Sequence, residues 1–269
     1  MTTIEEKRHS LAHLLAAAVL KHYPDAKLTL GPAIENGFYY DIAFTEAVGD
    51  KDLKQIEKTM KKLSNTWTTF DGKEISADEA RKIFEGNPYK LELIDEIEER
   101  NRRLPADRQE PITLYTSGDF TDLCRGGHVE HFKDIAMDAF TLDRVAGAYW
   151  RGDEHNDMLT RIYGLAFDTK AELDEYLAQR EAAKERDHRK IGKELGLFTF
   201  SEKVGPGLPL FTPKGTKVRN LVVEKIRSIQ ERFGYEDVCI PHITKADLYQ
   251  TSGHWDKYKD DLFYVKGKS

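Results

Sequence analysis

Cysteine is scarce in this chain. Cys124 and Cys239 are the two in 269 residues, so no disulfide framework can hold it and a reducing compartment is expected. Positive charge is not in excess either. Lys and Arg number 41 against 47 Asp and Glu, a net of -6, which excludes a globally basic nucleic-acid binder and leaves only a local basic face for such contact. A long hydrophobic run is also missing. The stretch from Leu11 to Leu20 is apolar but too short to span a bilayer, contains His13 and follows Glu5 and Glu6. It therefore reads as neither a membrane span nor a signal peptide. Internal repeats and low-complexity segments are absent. What remains is a cytoplasmic chain with no membrane contact, long enough for two ordinary domains. Its 39% apolar residues can supply their cores.

Local signals place the elements. Thr3-Ile-Glu-Glu6 has the form of a capping box and predicts a helix that runs to His22 and stops before Pro24. Short strands are expected at Lys27–Leu30 and Phe38–Ile42, and helices at Asp50–Leu63, Ser76–Phe84 and Leu91–Arg102. Ile112–Tyr115 reads as a strand and Ser117–Gly127 as a loop. Ala139–Val145 and Gly147–Arg151 read as paired strands, with Leu159–Phe167 continuing the pattern. The fold class of this first region, residues 1–169, is α+β, with the first helix laid on an antiparallel sheet. From 170 to 195 the pattern becomes one long linker helix with a basic stripe that includes Arg180, Lys184, Arg189 and Lys193. Residues 196–269 form a further region. There Thr212-Pro213 starts a helix that Gly234 closes, and Glu236–Ile240 reads as a strand ending at Pro241.

Two short motifs carry the chemistry. His9-Ser-Leu-Ala-His13 lies on the first helix, where a spacing of four puts both imidazoles on one face. Cys124-Arg-Gly-Gly-His128 lies in the middle of the chain. Gly126 and Gly127 allow a tight turn or the close approach of a ligand. If the fold brings the motifs together, two chemistries fit. Three imidazoles and a thiolate can hold a tetrahedral zinc ion, or a histidine can act without metal as general base on a water. Asp122 can orient an imidazole or accept a substrate amine, Lys90 can act electrostatically, and Tyr40 can bound a pocket. Each of the three is equally at home as an ordinary structural residue. His131, His155, His188, His242 and His254 lack such pairing.

The two motifs together resemble the editing domain shared by threonyl- and alanyl-tRNA synthetases. Gly31-Pro-Ala-Ile-Glu-Asn-Gly-Phe-Tyr-Tyr-Asp41, Pro88-Tyr-Lys-Leu-Glu-Leu-Ile94, Thr121–His128, Ala148-Tyr-Trp-Arg-Gly-Asp-Glu154 and Met158–Phe167 are similar to the threonyl branch. That branch usually has Pro where Gly127 stands, a change expected to loosen the loop. Gly205–Leu210, Pro213–Gly215 and Gly234–Pro241 resemble the opening of a class II catalytic domain, including its dimer-forming motif 1, within which Pro241 falls.

The resemblance implies threonine–tRNA ligase chemistry in translation, with editing hydrolysis of seryl-tRNA(Thr) at a site formed by His9, His13, Lys90, Asp122, Cys124 and His128. Tyr40, Gly126 and Gly127 would contact substrate. It implies tRNA(Thr) as partner and a homodimer through motif 1. ATP and Mg would serve ligation, whose motifs 2 and 3 and zinc ligands are expected beyond residue 269. The chain is thus expected to be a fragment that does not activate threonine. The alanyl branch is closer to a zinc site and the threonyl branch is read as metal-free here. If zinc binds, His9, His13, Cys124 and His128 would be its ligands. The competing expectations are a free-standing trans-editing hydrolase and a non-catalytic tRNA-binding or dimerisation module.

Overall fold

A computed structural model describes residues 2–265. The chain divides into two compact units, 1–184 and 185–269, of which residues 266–269 of the expected C-terminal region lie outside the described residues.

The first unit is built around helix α1 (Ile4–His22). Thr3 Oγ1 accepts the Glu6 N–H at 3.2 Å and the Glu6 carboxylate accepts the Thr3 N–H at 2.7 Å, so both ends of the capping box are made. From Ser10 to Val19 every side chain of α1 is buried. A helix that is apolar nearly all round must be enclosed rather than surface-lying, and neighbours surround this one. Beneath it lies an antiparallel sheet in the order β1 (Lys27–Leu28), β3 (Gly37–Ala43), β8 (Met158–Ala166), β7 (Phe140–Tyr149), with β2 (Ala33–Ile34) also pairing β3. Phe38, Tyr40 and Ile42 alternate inward from β3 and are fully buried against the helix. Helix α2 (Asp50–Leu63) adds Leu53, Ile56 and Met60, spaced three and four apart, to the same core.

A second, smaller sheet of β4 (Asp71–Ile75), β5 (Ile112–Ser117) and β6 (Phe120–Leu123) is antiparallel throughout. Helices α3 (Ala77–Ile83) and α4 (Pro88–Arg102) accompany it. Asn87 caps α4, accepting the Lys90 N–H at 3.3 Å while its amide donates to the Leu28 carbonyl at 2.9 Å. One residue thus fixes where α4 begins and ties it to the large sheet. The β7–β8 hairpin grips α4 from its other side. Trp150 Nε1 donates to Glu92 at 2.9 Å, Arg151 pairs with Glu92 at 2.7 Å and also with Glu96, and the Tyr89 hydroxyl donates to Asp157 at 2.8 Å.

The α+β class is as the sequence implied, and several element assignments are corrected. The two expected strands over 139–151 are one strand, β7 (Phe140–Tyr149), followed by a turn at Trp150–Gly152. Ala146-Gly147 offers no turn chemistry, and the chain reverses instead at Arg151 and Gly152, whose φ values are 59° and 72°. The expected loop 117–127 contains strand β6, because the turn is confined to Gly118 (φ 60°) and its neighbour. Phe120 and Asp122 then point inward. Helix α4 starts at Pro88, not Leu91, since proline suits the first helical turn. The first strand ends at Leu28 rather than Leu30.

The expected helix 170–195 is two helices, α5 (Lys170–Glu185) and α6 (His188–Glu194). Asp187 interrupts it by accepting the Arg189 N–H at 2.8 Å as an N-cap. In the second unit a two-strand ribbon, β9 (Phe198–Thr199) with β10 (Leu210–Phe211), precedes α7 (Pro213–Arg232), followed by short helices α8 (Ala246–Thr251) and α9 (His254–Tyr258). Thr212 caps α7 and Gly234 (φ 79°) follows it. Glu236–Ile240 is not a strand. A strand needs a neighbour to bond, and none pairs with it among the described residues. No described helix is long and apolar enough to cross a membrane.

Close strand approach fixes the large sheet. A Cβ on Gly164 would lie 2.3 Å from the ring of Phe38, which has no exposed surface into which to retreat. Gly164→Ala should therefore destabilise the protein by about 1–3 kcal/mol, measured by urea unfolding. A change within about 0.5 kcal/mol, as at an ordinary surface site, would contradict the packing described.

Candidate functional site

Three elements of the first unit converge on one wall of a cavity of about 560 Å³. Helix α1 brings His9 and His13, α4 brings Lys90, and β6 with the turn after it brings Asp122 and Cys124. Tyr40 on β3 closes the floor. Asp41, Tyr39, Arg161, Trp150 and Arg151 are among the other lining residues. His128, Gly126 and Gly127 are not part of this lining. They lie behind it, against His9 and Cys124. Pro241 belongs to the second unit.

The carboxylate of Asp122 is the charged centre. Lys90 Nζ lies 2.5 Å from its Oδ1, with both side chains almost wholly buried. The Tyr40 hydroxyl donates to Oδ2, and the Leu123 N–H donates to Oδ1 at 2.8 Å. Lys90 also reaches the Tyr40 oxygen at 3.4 Å. A buried ion pair needs further hydrogen bonds to its charged groups, and here the Tyr40 hydroxyl and the Leu123 N–H supply them to the carboxylate. Burial first, and then the neighbouring Asp122 carboxylate, raise the Tyr40 phenol well above its usual range, so it stays a donor. His13 Nδ1 is 3.8 Å from Asp122 Oδ2, beyond hydrogen-bond reach. It is buried with no partner.

Beside this pair lies a sulfur between two imidazoles. Cys124 Sγ is 3.4 Å from His9 Nε2 and 3.3 Å from His128 Nε2, and it accepts the Gly126 N–H at 3.3 Å. Gly126 and Gly127 have φ of 92° and 83°, and proline, held near -65°, cannot adopt that conformation. The glycine in the second motif is therefore a requirement of this turn, not a loosening of it. Desolvation dominates the electrostatics. Burial lowers the pKa of His9 and lowers that of His13 far more. Burial first, then the nearby His13 and His9 rings, bring His128 down to about 2. Burial pushes the Cys124 thiol up to about 11. At neutral pH the cluster is thus three neutral imidazoles and a thiol.

The donor atoms of His9, His13, Cys124 and His128 all lie within 4.8 Å of one another. Tetrahedral zinc places neighbouring nitrogen and sulfur ligands roughly 3.3–3.6 Å apart. The two sulfur–nitrogen distances meet that spacing and neutral imidazoles suit the ion, so the donor set fits zinc once its wider separations close. With all four donors ligated such an ion would be coordinatively closed, and it would activate a water only if one of the four stayed unligated.

Reasoning from sequence missed Ser10, which lies between the two helical histidines, and Phe70, whose ring stacks on His128 at 4.1 Å. It also missed the Asp41–Arg161 pair of the cavity wall, a two-point contact at 2.6 and 2.7 Å. Alternation along β3 and β8 opposite each other was the only signal available for that pair.

The family description "Threonyl and Alanyl tRNA synthetase second additional domain" matches residues 112–163, the stretch from β5 into β8 that carries Asp122, Cys124 and His128. Over nearly its whole length the chain is similar to curated threonine–tRNA ligases. It is 49% identical to that of Gloeobacter violaceus over 264 residues, 97% of this chain and 41% of the relative. It is 48% identical to that of Staphylococcus aureus (97% and 39%) and 45% identical to that of Borreliella burgdorferi (96% and 43%). By sequence the chain is similar to one part of the threonyl-tRNA synthetases. It spans about two fifths of the length of the curated relatives it matches.

Burial of the neutral cluster has a direct cost in acid. Unfolded histidine takes up a proton near pH 6.5, whereas these three stay neutral in the folded protein. Stability is therefore fully present above about pH 6.5 and falls as pH drops below it, because the unfolded chain binds protons that the folded one refuses. For His128, with a folded value of about 2, the loss between pH 7 and 5 is about 2 kcal/mol. Urea unfolding of EDTA-treated protein should show that loss, reduced in His128→Gln. Equal pH slopes for the two proteins would refute it.

Proposed function

We propose that this part of the threonyl-tRNA synthetase family is an editing hydrolase that removes serine from mischarged tRNA(Thr). The observation that carries the reading is the convergence of His9, His13, Lys90, Asp122 and Cys124 on one wall of a cavity, in a family whose members are named for joining threonine to tRNA. The chemical need is elementary. Serine lacks one methyl of threonine, and such a contact discriminates by only about 1–3 kcal/mol. A ligase that accepts threonine therefore sometimes accepts serine, and a second site restores fidelity.

In this reading the seryl ester of the terminal adenosine enters between α1 and the Cys124 turn. His9 or His13, together with Lys90, positions the attacking water. A neutral imidazole can take its proton, and the Lys90 ammonium polarises the reacting groups. Asp122 contacts the seryl amine or hydroxyl and holds Lys90 in place. Tyr40 and Cys124 bound the cavity and contact the substrate. The contacts expected at Gly126 and Gly127 are indirect, since these glycines and His128 lie behind the lining and act by holding His9 and Cys124. The chemistry runs on water without a resident metal. The zinc-compatible spacing of Cys124 Sγ from the His9 and His128 nitrogens supports a second reading, in which the same cluster holds the ion. ATP, Mg and the aminoacylation zinc are assigned to portions of the relatives that this chain does not match. The α7 face, with Val218, Leu221, Val222 and Ile226 exposed, is assigned to a homodimer contact that includes the Pro241 segment.

The chain should deacylate seryl-tRNA(Thr) in preference to threonyl-tRNA(Thr) and alanyl-tRNA(Ala) assayed beside it. His9→Ala and Cys124→Ala should each slow that reaction by about 10²-fold. Undiminished rates in both variants would remove the site assignment, and no hydrolysis by the parent chain would remove the function. Elemental analysis of protein purified without added metal separates the two readings. Stoichiometric zinc would favour the second.

A further inference from the structure

Ser10 is fully buried on α1, and its side chain meets two groups. Oγ accepts the Val129 N–H at 3.1 Å and lies 3.4 Å from His128 Nδ1. A backbone N–H can only donate. Among the described contacts, the Ser10 proton therefore has one acceptor, the lone pair of His128 Nδ1. The neutral His128 ring then carries its own proton on Nε2, the nitrogen facing Cys124 Sγ. His9 is set the other way round. Its Nδ1 faces the Gly127 carbonyl at 3.3 Å, which can only accept, so Nδ1 holds the proton. The bare Nε2 of His9 is what faces the sulfur. His128 is also stacked between the Phe70 ring at 4.1 Å and the His9 ring at 4.3 Å, and this packing opposes a ring flip that would exchange its nitrogens.

We propose that Ser10 and the Gly127 carbonyl are positioning groups that order the cluster into a directional hydrogen-bond chain. It runs from Ser10 O–H to His128 Nδ1, from His128 Nε2–H to Cys124 Sγ, from Cys124 S–H to His9 Nε2, and from His9 Nδ1–H to Gly127 O. The other acceptor within reach of the thiol, Gly126 O, is farther away at 3.9 Å. Two consequences follow from the direction. Cys124 keeps its proton and spaces the two rings rather than attacking substrate. His128 offers an N–H, not a lone pair, to the middle of the cluster, so ligating a metal there requires its proton to move to Nδ1 against the Ser10 hydroxyl. The unpartnered His13 Nδ1 is then the nitrogen left to bond a water. This deepens the hydrolase reading above and rests on it for the role of that water.

The test is long-range proton–nitrogen NMR correlation on the whole chain labelled with ¹⁵N-histidine, in metal-free buffer, with His9→Gln and His128→Gln used for assignment. The expected spectrum shows His128 bare at Nδ1 and protonated at Nε2, and His9 the reverse. Ser10→Ala should mix the two forms of His128, leave His9 unchanged and slow seryl-tRNA(Thr) hydrolysis about 10-fold or more. Ser10→Thr, which keeps the hydroxyl, should restore the parent pattern. A parent spectrum with His128 protonated at Nδ1 overturns the proposal, and so does an unchanged His128 pattern in Ser10→Ala. If neither variant folds, the parent spectrum decides alone. Ordered tautomers without seryl hydrolysis would leave the chain of bonds standing and remove the hydrolase reading. Hydrolysis with the opposite tautomers would do the reverse.

Discussion

The contact between Lys90 and Asp122 is the constraint on which the first unit turns. An ammonium and a carboxylate with almost no exposed surface are tolerable only if each is met by the other and by further donors. That condition demands that α4, β6 and β3 arrive together. Asn87 starts α4 where Lys90 can face inward, the β5–β6 hairpin turns Asp122 to the same side, and β3 supplies the Tyr40 hydroxyl. The grip of Trp150 and Arg151 on Glu92 and Glu96 then holds α4 against the large sheet. Removing either member of the pair would leave the other charge buried and alone, at a cost of about 3–5 kcal/mol. For that reason Lys90 and Asp122 are poor probes of catalysis by substitution, and the neutral cluster beside them is the better one.

The neutral cluster obeys the opposite rule. His9, His13, His128 and Cys124 are kept uncharged by burial rather than paired, and in the proposed chain the hydrogen bonds among His9, Cys124 and His128 are ordered by groups with a single option, the Gly127 carbonyl and the Val129 N–H. The two positive-φ glycines serve this order directly, since the turn they permit aims the Gly127 carbonyl at His9 and the Gly126 N–H at the sulfur. Backbone geometry, hydrogen-bond direction and protonation state are therefore one property of the five residues from Cys124 to His128.

Much of the fold was legible because its signals are local. The capping box at Thr3, the spacing of Leu53, Ile56 and Met60, and the Thr212-Pro213 start of α7 each state an element within a few residues. What was not legible depended on distant partners. Strand β4, Asp71-Gly-Lys-Glu-Ile75, is exposed over most of its length and has no apolar alternation to announce it. It is a strand because β5 lies beside it. The single long β7 was expected as two strands, while the true turn uses Arg151 in a conformation unusual for a side chain of its size. In the site, the four motif residues stood out as a chemical set, yet nothing local says that two segments more than a hundred residues apart should meet. Ser10 was invisible for a different reason. A serine inside an apolar helix carries no periodic signal, and its importance lies in having one acceptor for one proton.

Charge at the cavity wall bears on how a substrate would be held. Arg161 is met by Asp41, Arg151 by Glu92 and Glu96, and both Arg100 and Arg125 by Glu110. A chain with a net charge of -6 thus presents arginines whose charge is already balanced. A nucleic-acid end entering this cavity would gain little from counterion release. It would have to be held by shape and stacking, for which Tyr39, Tyr149 and Trp150 are at hand in the lining. On the proposed reading, such a pocket would discriminate at the ester without gripping the phosphates. Any long-range attraction for the rest of a polyanionic partner must then come from surfaces other than this wall.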